Sequence, residues 1–124
     1  MHPFRAAIEA GDIEAAVAFL ADGAVFHSPV VFKPYEGREK VDKILRAAFA
    51  TFEDFRYTDE LEAGGVHALV FEARVGDREV QGLDLIREDG DGRIADFTVM
   101  VRPASGLMAL AERMGAALEA AGVR

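Results

Sequence analysis

VHALVFEARVGDREVQGLDLIREDGDGRIADFTVMVR, residues 66–102, is the stretch on which the fold turns. Its apolar residues recur at every second position, as in the row His67, Leu69, Phe71, Ala73 and Val75. Two interruptions, Gly76-Asp77 and Asp89-Gly90-Asp91-Gly92, supply the residue types that tight hairpins need. The spacing predicts three strands, over 66–75, 78–88 and 93–102, joined as an antiparallel meander. Both faces of these strands carry apolar side chains: Val66, Ala68 and Val70 on the row opposite Leu69, Leu83 and Leu85 opposite Gly82, Asp84 and Ile86, and Met100 opposite Phe97, Val99 and Val101. A sheet open to water on one side alternates more cleanly than this. The second face is therefore expected to be covered, most economically by the same face of another copy, giving a homodimer.

Working outward, Phe55, Tyr57 and Leu61 alternate with Arg56, Thr58, Glu60 and Glu62 until Gly64-Gly65, which predicts one more strand ahead of the three. After Gly37 the period changes. Val41, Ile44, Leu45, Ala48, Phe49 and Phe52 form one helical face, with Arg38, Lys40, Asp42, Lys43 and Arg46 on the other side. Pro3 and Gly11 bracket a short first helix whose Phe4, Ala7 and Ile8 share a face. Asp12 caps a second, with Ile13, Ala16, Val17 and Leu20 in phase until Asp22-Gly23. Residues 24–28 are strand-like and stop at Pro29, and residues 30–35 read as loop or irregular strand. Beyond Pro103, Leu107, Leu110, Met114 and Leu118 mark a closing helix that ends near Gly122. The order predicts an α+β fold with helices covering one face of an antiparallel sheet.

The chain has 124 residues, which suits one domain over its whole length. Twenty-two acidic against 14 basic side chains give a net charge of −8, so neither nucleic acid nor an anionic membrane is an expected partner. The absence of cysteine removes disulfides, thiolate nucleophiles, Cys-ligated zinc and iron–sulfur clusters. No signal-peptide pattern opens the chain, and the longest stretch without a charged side chain, residues 23–32, is too short to span a bilayer. A cytoplasmic location is the expectation.

Ala10-Gly11-Asp12 between two helices, Leu20-Ala21-Asp22-Gly23-Ala24-Val25 leading into a strand that ends at Ser28-Pro29, and Tyr35-Glu36-Gly37-Arg38 opening the long helix together resemble the SnoaL-like branch of the nuclear transport factor 2-like superfamily. The resemblance implies a cone, in which a strongly curved sheet wraps a long helix and leaves an apolar cavity open at one end. Members include ketosteroid isomerases, epoxide hydrolases, cyclases, dehydratases and binding modules without chemistry. Against the ketosteroid isomerase pattern, Ser28 stands where the general-base aspartate precedes a proline, and Phe4 stands where the first helix carries an oxyanion-hole tyrosine. Asp84, in Gly82-Leu83-Asp84-Leu85-Ile86, looks like the protonated oxyanion-hole acid of that family.

Asp84 is the leading candidate for chemistry, because apolar neighbours raise a carboxyl's pKa and make it an acid or hydrogen-bond donor at neutral pH. His27 is the second candidate, as a base, although strict alternation sends it to the face opposite Phe26 and Ser28. Tyr57, Tyr35 and Ser28 could offer hydroxyls to a ligand. Phe26, Phe49, Phe52, Phe71, Ile86, Phe97 and Val99 are expected to line the cavity. Asp96 shares a row with Thr98 and Met100 and is structural if that row meets a partner copy. His2, His27 and His67 lack metal-ligand spacing, and the glycines lead into strands where a phosphate loop would lead into a helix, so no metal or cofactor is expected. The resulting expectation is a pocket for a small hydrophobic ligand, used either for cofactor-free isomerisation, cyclisation or hydrolysis, or for binding alone.

Overall fold

The computed structural model describes residues 1–123. Its elements run α1 (Pro3–Glu9), α2 (Ile13–Val17), β1 (Leu20–His27), β2 (Tyr35–Glu36), α3 (Arg38–Thr51), β3 (Glu53–Ala63), β4 (Val66–Val75), β5 (Arg78–Glu88), β6 (Ile94–Arg102) and α4 (Ala104–Ala120). Local chemistry sets the helix starts. The His2 ring accepts a hydrogen bond from the Phe4 amide at 3.0 Å ahead of Pro3, and the Asp12 carboxylate accepts from the Ala15 amide at 3.0 Å. Each satisfies a donor that the first turn cannot pair internally.

The strands form one curved, unclosed sheet in the order β2-β1-β6-β5-β4-β3. The three hairpins from β3 to β6 are antiparallel, as the turn residues predict. The first strand departs from the sequence expectation in two ways. It begins at Leu20, where helical phase with Ile13 and Val17 had suggested helix, because the Ile94 amide donates to the Phe19 carbonyl at 2.8 Å and draws the chain into the ladder. It also runs parallel to β6, with Phe26 beside Phe97 and His27 beside Thr98, so the sheet is mixed. Tyr35, the last residue of the expected irregular passage, and Glu36 after it pair antiparallel with Phe26 and Val25 as β2. Register shifts in β3, in β1 and at Arg87/Glu88 interrupt the ladders, and such bulges bend strands.

Burial alternates along β4 and β5 as the period-two pattern demands. The inner row includes Leu69, Phe71, Ala73, Val75, Val80, Ile86 and Phe97, all buried, and α3 sets Val41, Ile44 and Leu45 against the core. Phe4 of α1 is fully buried beside Phe97, with ring centroids 5.3 Å apart. On the outer row, Ala68, Val70, Leu83 and Leu85 are half-buried and Met100 is exposed. Helix α4 packs on α3, β5 and β6, with Leu110 buried. No helix is long and apolar enough to cross a membrane among the described residues.

Candidate functional site

Between α3, α4 and the inner sheet face lies a cavity of about 160 Å³. Rings of Phe26, Phe49, Phe52, Phe55 and Phe97 line it together with Ile44, Leu45, Ala48 and Val99. Pro29, Val30 and Val31 of the loop after β1 reach it from one side, and Leu110, Ala111, Met114, Gly115 and Leu118 of α4 from another. Among the described residues, three with polar side chains line it: Ser28, Tyr35 and Asp84.

Asp84 is 3% exposed, at the middle of β5 opposite Leu69 on one side and Val99 on the other. The Tyr57 hydroxyl donates to its Oδ2 at 2.8 Å. Its Oδ1 has no hydrogen-bond partner among the described residues, and this oxygen is what the carboxyl can offer a ligand. Burial pushes the Asp84 pKa up to about 7, partly opposed by the hydrogen bond from Tyr57. Tyr57, buried and facing that carboxyl, is held well above the ordinary phenol value, so it stays a donor. Arg5 lies over the Tyr57 ring at 5.7 Å from its centroid and holds Glu60 with the same guanidinium. At neutral pH the site can therefore donate a hydrogen bond or a proton from Asp84 into an apolar space, with Tyr57 fixing the carboxyl's orientation.

The cavity collects Asp84, Ser28, Tyr35, Phe26, Phe49, Phe52, Phe97 and Val99 from the expected set and leaves out four. Tyr57 stands behind Asp84 rather than in the lining, because its hydroxyl is spent on the carboxyl. Phe71 is not in the lining either: its ring stacks on Phe55 at 4.8 Å and occupies the space beside Gly82, backing the wall. Ile86 lies one pair further along β5, fully buried between His67 and Phe97. His27 is on the outer face, where its Nε2 meets Asp96 Oδ2 at 2.9 Å and Thr98 donates to Asp96 Oδ1 at 3.3 Å. Being a strand neighbour of Phe26, it points the other way, and it does not share a cavity with Asp84. Ser28 accepts from the Val30 amide at 3.0 Å and so organises the loop that flanks the cavity. The lining residues that sequence reasoning missed are Phe55, Pro29 and the loop valines, Ile44, Leu45 and Ala48 of α3, and the inward stripe of α4. The stripe was visible in sequence as core, but nothing in the sequence distinguishes packing against a sheet from roofing a cavity.

One assembly was not legible in the spacing. His2, His67 and Glu88, far apart in sequence, bring their ligand atoms within 4.8 Å of one another. His67 Nε2 is 2.6 Å from Glu88 Oε1, and His2 Nε2 is 3.4 Å from Glu88 Oε2. Burial, and then the neighbouring His67, lower the His2 pKa, so its ring is neutral at neutral pH. Its Nδ1 already accepts from the Phe4 amide, which leaves the ring proton on Nε2, the atom that a metal would need bare. The trio fits the seating of α1 on the sheet better than it fits metal ligation.

A family model described as a SnoaL-like domain matches residues 2–111. The chain belongs to the SnoaL-like family. This SnoaL-like chain is 47% identical to a steroid delta-isomerase from Pseudomonas aeruginosa, with 94% of this chain and 86% of that one aligned and a TM-score of 0.89. It is 33% identical to an uncharacterised bacterial protein with a cystatin-like fold from Silicibacter pomeroyi, over 96% of this chain and 87% of that one, with a TM-score of 0.88. An NTF2-like protein of Mesorhizobium loti, at 21% identity, 81% and 85% coverage and a TM-score of 0.71, shares the fold. No curated protein matches. The resemblance drawn from Ala10-Gly11-Asp12, Ser28-Pro29 and Tyr35-Glu36-Gly37-Arg38 thus led to the right family and to the right fold class.

Proposed function

We propose that this SnoaL-like chain takes up a small apolar molecule bearing one hydrogen-bond acceptor and assists proton transfer on it without a cofactor, Asp84 serving as acid or hydrogen-bond donor. The observation that carries this reading is the placement of one oxygen of a nearly fully buried carboxyl, without a hydrogen-bond partner among the described residues, at a cavity whose lining is otherwise apolar apart from Ser28 and Tyr35. The 47% identical relative described as a steroid delta-isomerase supports an isomerase-type role. Isomerisation of that type also wants a base, and the corresponding position holds Ser28, whose hydroxyl is engaged with the Val30 amide. Binding without turnover is the competing reading, favoured by the presence of a single carboxyl in the cavity among the described residues.

Hydrogen–deuterium exchange at the methyl group of acetophenone in D₂O, followed by NMR, separates the two. With a solvent base taking the methyl proton, the neutral carboxyl should stabilise the developing enolate oxygen, and exchange should be faster with protein than in buffer. Because Asp84 loses its proton as pH rises through about 7, the acceleration should be present below that pH and fade above it. Asp84→Asn should remove about a hundred-fold of any acceleration while leaving the ketone bound. A ketone that binds without faster exchange would establish the binding role instead.

We also infer that two copies pair through the outer sheet face. The half-buried row Ala68, Val70, Leu83 and Leu85 continues into Met100, 53% exposed, and an isolated soluble chain rarely keeps such a surface in water. Sedimentation at micromolar concentration should give twice the chain mass, and Leu85→Glu should give the single mass. A wild-type monomer at that concentration removes the inference.

A further inference from the structure

The inner stripe of α4 roofs the cavity. Leu110, Met114 and Leu118 are spaced four apart and all face it, with Ala111 and Gly115 between them. Opposite them stand the α3 residues Ile44, Leu45, Ala48 and Phe49. The space between is about 160 Å³. An apolar cavity of about 150 Å³ holds a benzene ring, whereas sites for drug-sized ligands run from about 300 Å³ upward.

We propose that α4 limits the cavity to a single-ring apolar ketone or a molecule of like size, its one acceptor oxygen directed at Asp84 Oδ1, and that Met114 and Leu118 are the side chains that set this limit. The proposal rests on the pocket reading above and adds the substrate class to it. The acceptor is uncharged, because no cationic side chain lines the cavity among the described residues and an anion would be desolvated beside Asp84 without compensation. We take one acceptor because, among the described residues, Asp84 is the one carboxyl in the lining and the one polar side chain there that is nearly fully buried. The size limit runs against what area alone predicts: in an open cleft a four-ring ketone would bury more apolar surface than a one-ring ketone and bind more tightly. Discrimination in favour of the smaller ligand therefore reports the roof. Met114 and Leu118 are half-buried, toward the end of α4 away from the buried Gly106, so truncating them opens the space with little loss of core.

Calorimetric titration of the full chain with acetophenone and with progesterone, a four-ring ketone, tests this. Wild type should bind acetophenone at least tenfold more tightly than progesterone. Met114→Ala and Leu118→Ala should each shift the ratio of the two affinities at least fivefold toward progesterone, with an unchanged far-ultraviolet circular dichroism spectrum as the control for folding. Asp84→Leu, which removes the partner of the acceptor oxygen, should weaken acetophenone at least tenfold. Equal or tighter binding of progesterone by wild type overturns the size limit and leaves the pocket reading standing. Failure of both ketones to bind overturns the two together. If neither truncation changes the ratio of the two affinities, the roof assigned to α4 falls.

Discussion

Asp84→Asn should make the protein more stable at pH 8 and leave it nearly unchanged at pH 4. Burial raises the folded-state pKa of Asp84 from 3.8 to about 7. The folded chain therefore holds a proton that the unfolded chain releases between those values. The carboxyl's contribution is fully present below 3.8 and is lost as pH rises through about 7. At 1.36 kcal/mol per pH unit, a shift of this size amounts to something on the order of 4 kcal/mol in the ionised range. Asparagine cannot ionise, keeps an oxygen to accept from Tyr57, and fills nearly the same volume. Urea unfolding of both proteins from pH 4 to pH 9 should show the two stabilities diverging across this window, with the variant ahead at the alkaline end. Parallel curves would mean that Asp84 is ionised in the fold and that a group or water outside the Tyr57 pair compensates it, which would also remove the donor from the cavity.

Gly82→Ala should be among the most damaging single substitutions in the sheet. A Cβ built at Gly82 comes within 2.1 Å of Phe71 Cζ and within 2.8 Å of two further ring atoms. The Phe71 ring is 1% exposed and stacked on Phe55, with Phe52 and Tyr57 edge-on to it, so it has nowhere to move. Overpacking of this severity costs at least about 3 kcal/mol, toward the upper end of such substitutions. The cause is checked by coupling: Phe71→Leu shortens the ring side chain, and the double variant should be at least about 1 kcal/mol more stable than the two single losses predict. Additive losses, or a Gly82→Ala protein within about 0.5 kcal/mol of wild type, would show that the ring is not what excludes a side chain at position 82. The space that the missing side chain leaves at Gly82 is taken by the Phe71 ring.

The same residue shows how the sequence and the fold divide the explanation. Alternation along β4 and β5 was legible because one row meets the core and the other does not, and that contrast acts on every residue of the strand. Turn chemistry was legible because Gly76 and Gly92 sit at positive φ, which glycine adopts at little cost. The start of β1 was misread because Leu20 fits a helical phase with Ile13 and Val17 equally well, and its choice of strand depends on β6, more than seventy residues away. His27 followed its alternation to the outer face. Phe71 and Ile86 were assigned to the cavity by hydrophobicity and row alone, which cannot separate a ring facing a cavity from a ring that fills the wall behind it.

What the amino-acid order determined by itself is whatever depends on neighbours a few residues apart: the helix caps at His2 and Asp12, the hairpins, the apolar rows, and the isolation of Asp84 among apolar neighbours. These are short-range effects of backbone sterics and of solvent, and a period or a cap residue records them. What only tertiary structure decided is the pairing of Asp84 with Tyr57, the gathering of His2, His67 and Glu88, the parallel entry of β1, and the roofing of the cavity by α4. Each depends on which strands lie side by side and how far the sheet bends, and contacts between residues distant in the chain leave no local period from which they could be read.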